Sequence, residues 1–396
     1  MKTDPDAAGL DAGRLERITE HLQSRYIEPG KIPGCEVAVY RHGTVGYHRR
    51  FGSMDLERDK PLEEGTIYRI YSMTKPIAGV ALLTLYERGL YQLDDPVSRW
   101  IPEWKDLRLK EGAAPPRPMS VRDTFMHMTG LPGALAGVES LEDLGKAMLE
   151  VRGRTLDEMA ERLSEMPLSF APGTRWQYGI STDVVGLLVE RMSGQRFDEY
   201  LQEHVFGPLQ MVDTGFVVPD EKLDRFAACY GRTRYKTLKR TDDPETSSYR
   251  RQPSFLSGGG GLVSTMDDYL RFTRMLVHGG ELDGVRVLGR KTVELMASNH
   301  LPGGGSLSDF AFAGGYGEVG FNGMGFGLTV AVSKSMAETG VVGSPGEFMW
   351  GGAASTIFWV DPVEDLTCVF MTQLVPSGAF NFRGQLKSII YPSIVD

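Results

Sequence analysis

Apolar positions follow helical and strand periods in turn along the chain. Residues 10–26 place Leu15, Ile18, Leu22 and Tyr26 on one stripe, which predicts an amphipathic helix. Pro33-Gly34 leads into Cys35-Glu36-Val37-Ala38-Val39-Tyr40, read as an alternating strand. Arg41-His42-Gly43 is a turn, and residues 44–51 return as the second arm of a hairpin. Residues 66–70 form a further short β-like run. Helical spacing resumes with Leu82, Leu85 and Tyr86; Pro76 fits the first turn, and Arg88-Gly89 closes the helix with a cation and a C′ glycine. A helix, antiparallel strands and another helix make an α+β beginning rather than a βαβ one.

From Leu90 the texture changes. Asp94-Asp95-Pro96 and Pro102 punctuate a loop, and residues 111–119 are rich in Pro and Ala and expected to be exposed. Ser120-x-x-Asp123 and Thr155-x-x-Glu158 have the form of capping boxes, with Gly130 and Pro167 as stops. Residues 181–193 form a helix with Val184, Val185, Leu188 and Met192 on its apolar face, ended by Gly194. Residues 91–230 are therefore expected to be mainly helical. Residues 232–252 are charged and aperiodic and are read as an exposed excursion. Strand texture returns at residues 326–332, 355–360 and 366–374, and the glycine- and aromatic-rich residues 303–327 are expected to form a mobile rim. No internal repeat is evident. A sheet domain, residues 1–90 with 231–396, interrupted by a helical domain, residues 91–230, follows from this order, with a site between the two.

Composition narrows the classes. The 396 residues carry a net charge of −9 without a basic block, which argues against nucleic acid and anionic membrane surfaces as partners. No apolar run is long enough to span a membrane, and Met1 to Asp6 is polar, unlike a signal-peptide core. Cys35, Cys229 and Cys368 are few and far apart, as free thiols in a reducing compartment would be; a cytoplasmic location is the simplest expectation.

Candidate chemistry centres on Tyr71-Ser72-Met73-Thr74-Lys75-Pro76. Ser72 lies at a helix N-terminus, and Lys75 follows one turn along the same face. A desolvated lysine can take the proton of a serine hydroxyl, and free N–H groups at the helix start favour developing negative charge. The same residues also fit a plain serine cap with an exposed lysine. Other chemistries find no support. Gly-x-Ser-x-Gly and His-Glu-x-x-His are both absent, and the cysteine spacings suit no zinc site. The glycines at 258–261 lack the Lys-Ser/Thr of a phosphate loop and are read as a turn feeding a capped helix; His127 is read as structural.

Two further stretches accompany Ser72: Trp176-Gln177-Tyr178-Gly179-Ile180, before the helix at 181–193, and Trp350-Gly351-Gly352-Ala353, beginning a C-terminal strand. With His127-Met128-Thr129-Gly130, Asp183-Val184-Val185-Gly186 and Gly260-Gly261-Leu262-Val263-Ser264, their order resembles the class C β-lactamase and penicillin-binding-protein superfamily of serine hydrolases. Within it the chain most resembles the family VIII carboxylesterases. The resemblance implies an antiparallel sheet flanked by helices with a helical insertion. It implies Ser72 as the acylated nucleophile, Lys75 as general base or proton partner, and Tyr178 as a proton shuttle whose phenol ionises more readily near an ammonium. The oxyanion hole would be the amides of Ser72 and of Ala353, placed on the strand after the glycines.

Departures from the family pattern narrow the substrate. Ile180 stands where the lactamases and peptidases carry an asparagine, and Trp350 replaces the lysine of Lys-Thr-Gly. Trp350 is expected as an aromatic wall, and Gly351 and Gly352 as points of close substrate approach. Ester hydrolysis on small apolar substrates is the resulting expectation, with no metal or cofactor. The rivals are β-lactam or D-amino-acid amide hydrolysis, acyl transfer, and a non-catalytic binding module. The sequence leaves the oligomeric state open.

Overall fold

Hairpins from opposite ends of the chain meet in one sheet. The computed structural model describes residues 1–132, 153–312 and 317–396. Among these, eight antiparallel strands run in the order Met324–Phe326, Ala331–Ser333, Phe348–Gly351, Ile357–Asp361, Leu366–Thr372, Gly34–Arg41, Thr44–Asp55 and Lys60–Pro61. The join lies between Gly34–Arg41 and Leu366–Thr372, where Cys35 faces Thr372 and Arg41 faces Leu366.

Successive strand residues point to opposite faces. Phe370 meets Phe382 of the C-terminal helix Phe382–Ile390, with ring centroids 4.8 Å apart. Phe358, paired with Val369, instead meets Tyr269 of the helix Met266–Val277 at 5.4 Å. The N-terminal helix Ala12–Leu22, capped by Asp11, lies beside the C-terminal helix and buries Leu15, Ile18 and Leu22. Both faces of the sheet are thus covered. This corrects the alternation read from residues 35–40: every residue of Gly34–Arg41 is buried. Glu36 tolerates that burial because His48 Nε2 lies 2.7 Å away and the Tyr68 hydroxyl donates to it at 2.9 Å.

The helix Thr74–Glu87 is buried almost all round, save Thr84 and its last turn. Burial of Ile77, Val80, Leu82, Leu83 and Leu85 stabilises it by roughly 1.5–3 kcal/mol each. The helix Ser181–Ser193 packs on it and ends at Gly194 in the left-handed conformation, as its sequence predicts. The Ser120–Asp123 capping box is formed in both directions. At Thr155 only half of a box forms, because the Glu158 carboxylate turns to the Arg154 amide and to Arg162.

Other expectations need correction. Residues 326–332 are not one strand: Phe326 pairs with Ala331 in a tight hairpin, with Gly327 N–H donating to Val330 O at 2.8 Å. Residues 232–252 are largely exposed, as expected, but they carry a strand. Cys229–Arg232 pairs with Leu238–Asp242, and ion pairs from Arg58 to Asp243, Arg69 to Asp242 and Arg240 to Asp243 fasten the segment where apolar periodicity is lacking. Residues 313–316 of the expected rim lie outside the described residues.

Candidate active site

The strand Ile67–Arg69 pairs antiparallel with Val263–Thr265, and Ile70 N–H donates to Leu262 O at 3.2 Å. That pairing brings the glycines at 258–261 alongside the turn Tyr71–Met73, which carries Ser72 into the helix Thr74–Glu87. Tyr71 takes the unusual φ of 41°, a strained conformation for an aromatic residue. Arg69 anchors the preceding strand from a fully buried position. Its guanidinium reaches Asp242 at 2.8 Å, Ala227 O at 2.6 Å and the Phe226 ring at 4.0 Å.

Ser72 is not a helix cap. The helix N-cap is Met73, and no side chain caps it. The hydroxyl of Ser72 instead sits between two polar side chains: Lys75 Nζ donates to its Oγ at 3.2 Å and the Tyr178 hydroxyl at 2.6 Å. Lys75 is 3% exposed and Tyr178 8%, so both meet Ser72 largely out of water. The ammonium position lies 4.6 Å from the centre of the Tyr178 ring. A second bond holds Lys75: its Nζ donates to the carbonyl of Gly259 at 2.5 Å. Such a group can pass a proton from hydroxyl to amine and supply one from the phenol.

The Tyr178 phenol differs from its sequence-based expectation. Burial raises its pKa well above the ordinary value, the charge of Glu318 adds to this, and the polar contacts with Ser72 and Trp350 act more weakly the other way. The phenol therefore rests protonated, since desolvation of the phenolate outweighs the attraction of a nearby cation. His127 is fully buried behind it, with ring centroids 4.9 Å apart. Burial, with the charge of Lys75 second, depresses the imidazole pKa well below its usual value. Neither ring nitrogen has a hydrogen-bond partner among the described residues, in keeping with a neutral structural role.

The third stretch is also placed differently. Trp350 is completely buried, packed on Tyr178 at 5.6 Å and Phe326 at 5.4 Å. It backs Tyr178 instead of offering an open wall, because strand alternation turns its ring into the aromatic cluster around Trp176 and Phe326. At Gly352 backbone packing itself requires a glycine: a Cβ there would collide with the Ile70 carbonyl and the Thr356 hydroxyl. A Cβ on Gly351 would crowd Thr356 O at 3.1 Å and Arg383 Nη2 at 3.3 Å. Ala353 lies in the turn after the strand Phe348–Gly351, not on it; Gly352 N–H donates to Thr356 O, and Ser355 N–H to Gly352 O, each at 2.8 Å. The close approach of Gly352 to Ile70 sets this turn beside that of Ser72.

Sequence reasoning missed Gly259 and Asp183 as parts of the site. Asp183 is completely buried, and its Oδ1 accepts the Gly259 N–H at 2.9 Å and the Ser257 hydroxyl at 2.6 Å. The available signal was an acidic residue in the first turn of a helix that otherwise reads as apolar, together with an uninterrupted glycine run. Among the described residues no cluster of His, Cys, Asp or Glu could hold a metal ion, and no helix is long and apolar enough to cross a membrane.

Comparison with known proteins places the chain in a class. The beta-lactamase family model matches residues 18–387, and the chain belongs to that family, on its family VIII carboxylesterase branch. Esterase EstB of Burkholderia gladioli is 32% identical over 95% of this chain and 94% of its own length. The solved structure of EstCE1, described as a hydrolase with promiscuous acyltransferase activity, matches with a TM-score of 0.79 at 26% identity, covering 99% of this chain and all of that one. Simvastatin synthase LovD of Aspergillus terreus shares the fold, with a TM-score of 0.77 at 23% identity and 98% of each chain covered.

Proposed function

We propose that the protein is a serine carboxylesterase that hydrolyses small, rather apolar esters through an acyl-enzyme on Ser72. The observation that carries this reading is the Ser72 hydroxyl held between Lys75 Nζ and the Tyr178 hydroxyl at 3.2 and 2.6 Å. Ser72 Oγ attacks the ester carbonyl carbon while its proton passes to the Lys75 amine. Tyr178, kept protonated by burial, gives its proton to the alkoxide oxygen as the C–O bond breaks, and Lys75 returns a proton to the phenol. Alcohol leaves, water attacks the acyl carbon by the reverse relay, and the acid is released as Ser72 regains its proton.

The tetrahedral oxyanion is assigned to the amides of Ser72 and Ala353. Support comes from the backbone: among the described residues, the Ala353 amide, in a turn outside any helix or strand, donates no hydrogen bond to a carbonyl. The esterase EstB, similar over nearly the whole chain, supports the ester as substrate. The absence of a lysine at Trp350 argues against a substrate carboxylate bound there. A sheet unit of residues 1–90 and 231–396 with a helical unit of 91–230 is proposed as the frame, and three free, buried cysteines support a cytoplasmic location.

A second reading is acyl transfer, in which an alcohol replaces water in the second half-reaction. It is favoured by the likeness to EstCE1, a hydrolase with promiscuous acyltransferase activity. Ser72→Ala is expected to abolish both nitrophenyl butyrate turnover and covalent labelling by a phosphonate probe, with the fold intact by circular dichroism. Undiminished hydrolysis by that variant sinks the assignment. Nitrocefin and a D-Ala-D-Ala peptide, assayed in parallel, test the amide rivals, and added alcohols test transfer.

A further inference from the structure

The glycine run at 258–261 is packed with little free space. A Cβ on Gly258 would lie 2.5 Å from Thr182 O, and one on Gly259 would lie 3.0–3.2 Å from the carboxylate of Asp183. Gly260 runs past the backbone of Tyr71, with its nearest atom 3.5 Å from such a Cβ. Gly258 and Gly259 thus let a loop pass between the start of the helix Ser181–Ser193 and the turn of Ser72. The loop is not merely tolerated there, because Asp183 Oδ1 receives both the Gly259 N–H and the Ser257 hydroxyl. The carbonyl of the same Gly259 is the acceptor for Lys75 Nζ.

The direction of that last bond matters. Lys75 Nζ donates to Ser72 Oγ in the resting structure; to take the serine proton, the neutral amine must turn its one lone pair to the hydroxyl instead. Its N–H bonds must therefore find acceptors elsewhere. The Gly259 carbonyl is such an acceptor, and its position fixes the rotation of the Lys75 amine about its terminal C–N bond. The carbonyl is in turn fixed by the peptide N–H on the other side of the same Cα, bound to Asp183.

We propose that Asp183 is a positioning residue for proton transfer: through Gly259 it aims the Lys75 amine at Ser72. This rests on the assignment of Ser72 and Lys75 above. Tyr178 lies five residues before Asp183 in the same segment, so one stretch of chain both supplies the phenol and orients the amine. In this scheme Asp183 acts through the Gly259 loop.

The test measures the rate of Ser72 acylation per active site, with sites counted by phosphonate titration, in Asp183→Ala, Asp183→Asn, Ser257→Ala and Ser72→Ala. Asp183→Ala is expected to lose about 10²-fold in acylation rate, the scale of a misplaced catalytic group, with KM within about threefold. Asp183→Asn keeps an oxygen acceptor for the Gly259 N–H and should recover most of that loss. Ser257→Ala, which removes one of the two bonds and leaves the carboxylate in place, should lose a smaller factor in the same kinetic step and keeps the test available if Asp183→Ala does not fold. A purely structural Asp183 lowers the number of titratable sites and the Tm while leaving the rate per site unchanged; that result in Asp183→Ala or Ser257→Ala overturns the proposal. Retained turnover in Ser72→Ala refutes instead the assignment beneath it, so the two failures are distinguishable.

Discussion

Gly352 packs its α-carbon directly against the carbonyl of Ile70, two residues before Ser72, in a space that no side chain can share. The contact joins the strand Phe348–Gly351 to the turn carrying the nucleophile candidate, between the two amides proposed as oxyanion donors. Gly352→Ala must push these segments apart. Overpacking of this kind costs about 1–3 kcal/mol, read as a lower denaturant midpoint. Displacing one oxyanion donor should also lower kcat about 10²–10³-fold. A destabilised variant with unchanged kcat would remove Ala353 from the oxyanion hole.

Lys75→Met should reduce kcat by about 10²–10⁴-fold, the range of a lost general base, with little change in KM. Stopped-flow measurement of acylation isolates the affected step. A loss confined to deacylation would place the base of the first step elsewhere.

Tyr178→Phe discriminates by leaving group. A phenol that protonates the departing alkoxide matters more for an ethyl ester than for a nitrophenyl ester, whose leaving group needs no proton. The ratio of the two rates should therefore fall in the variant, and an equal loss on both substrates contradicts the acid role. Because burial holds the phenol pKa well above its ordinary 10.0, its proton stays in place to high pH. No alkaline loss of kcat attributable to Tyr178 is expected below about pH 10.

Asp268 gives a pH dependence of stability. Burial raises its carboxyl pKa from 3.8 to about 6, against the bonds it accepts from Thr214 and the Asp213 amide. The folded state therefore binds more protons than the unfolded state between those values. By linkage, the stability this group contributes falls as pH rises through that window and is lowest above it. Relative to Asp268→Asn, the wild type should gain in Tm as pH drops from 8 to 5. A Tm difference independent of pH would show that the carboxyl titrates normally.

Lys387 and Glu347 form an ion pair with both side chains 2% exposed, and Glu347 also accepts from Tyr391 and Ser333. Lys387→Met strands a buried carboxylate and should cost about 3–5 kcal/mol in denaturant unfolding. Adding Glu347→Leu should recover much of the loss, because the uncompensated charge goes with it. Failure of the double variant to recover would mean that packing, not charge, dominates there.

Several local devices were legible in the sequence. Ser120 and Asp123 cap a helix three residues apart, Gly194 ends one, and the stripe of Leu15, Ile18 and Leu22 needs only the helical period. The burial of both faces of Gly34–Arg41 was not legible, because an all-apolar strand and a half-exposed one share the short pattern Val-Ala-Val. Nor was the hairpin within residues 229–242, whose order depends on ion pairs with Arg58 and Arg69 far back in the chain.

For the candidate site, the sequence by itself pointed to the residues proposed to carry the chemistry. Ser72 and Lys75 lie one helical turn apart, so local geometry places them together, and the order of the stretches around Tyr178 and Trp350 marks the family. Tertiary structure alone decided how those groups are held. Tyr178 reaches Ser72 from 106 residues away and Gly259 reaches Lys75 from 184, through strand pairing and helix packing that no local pattern specifies. It also turned Trp350 inward and kept the Tyr178 proton in place, because desolvation depends on everything packed around a group and not on its neighbours in sequence.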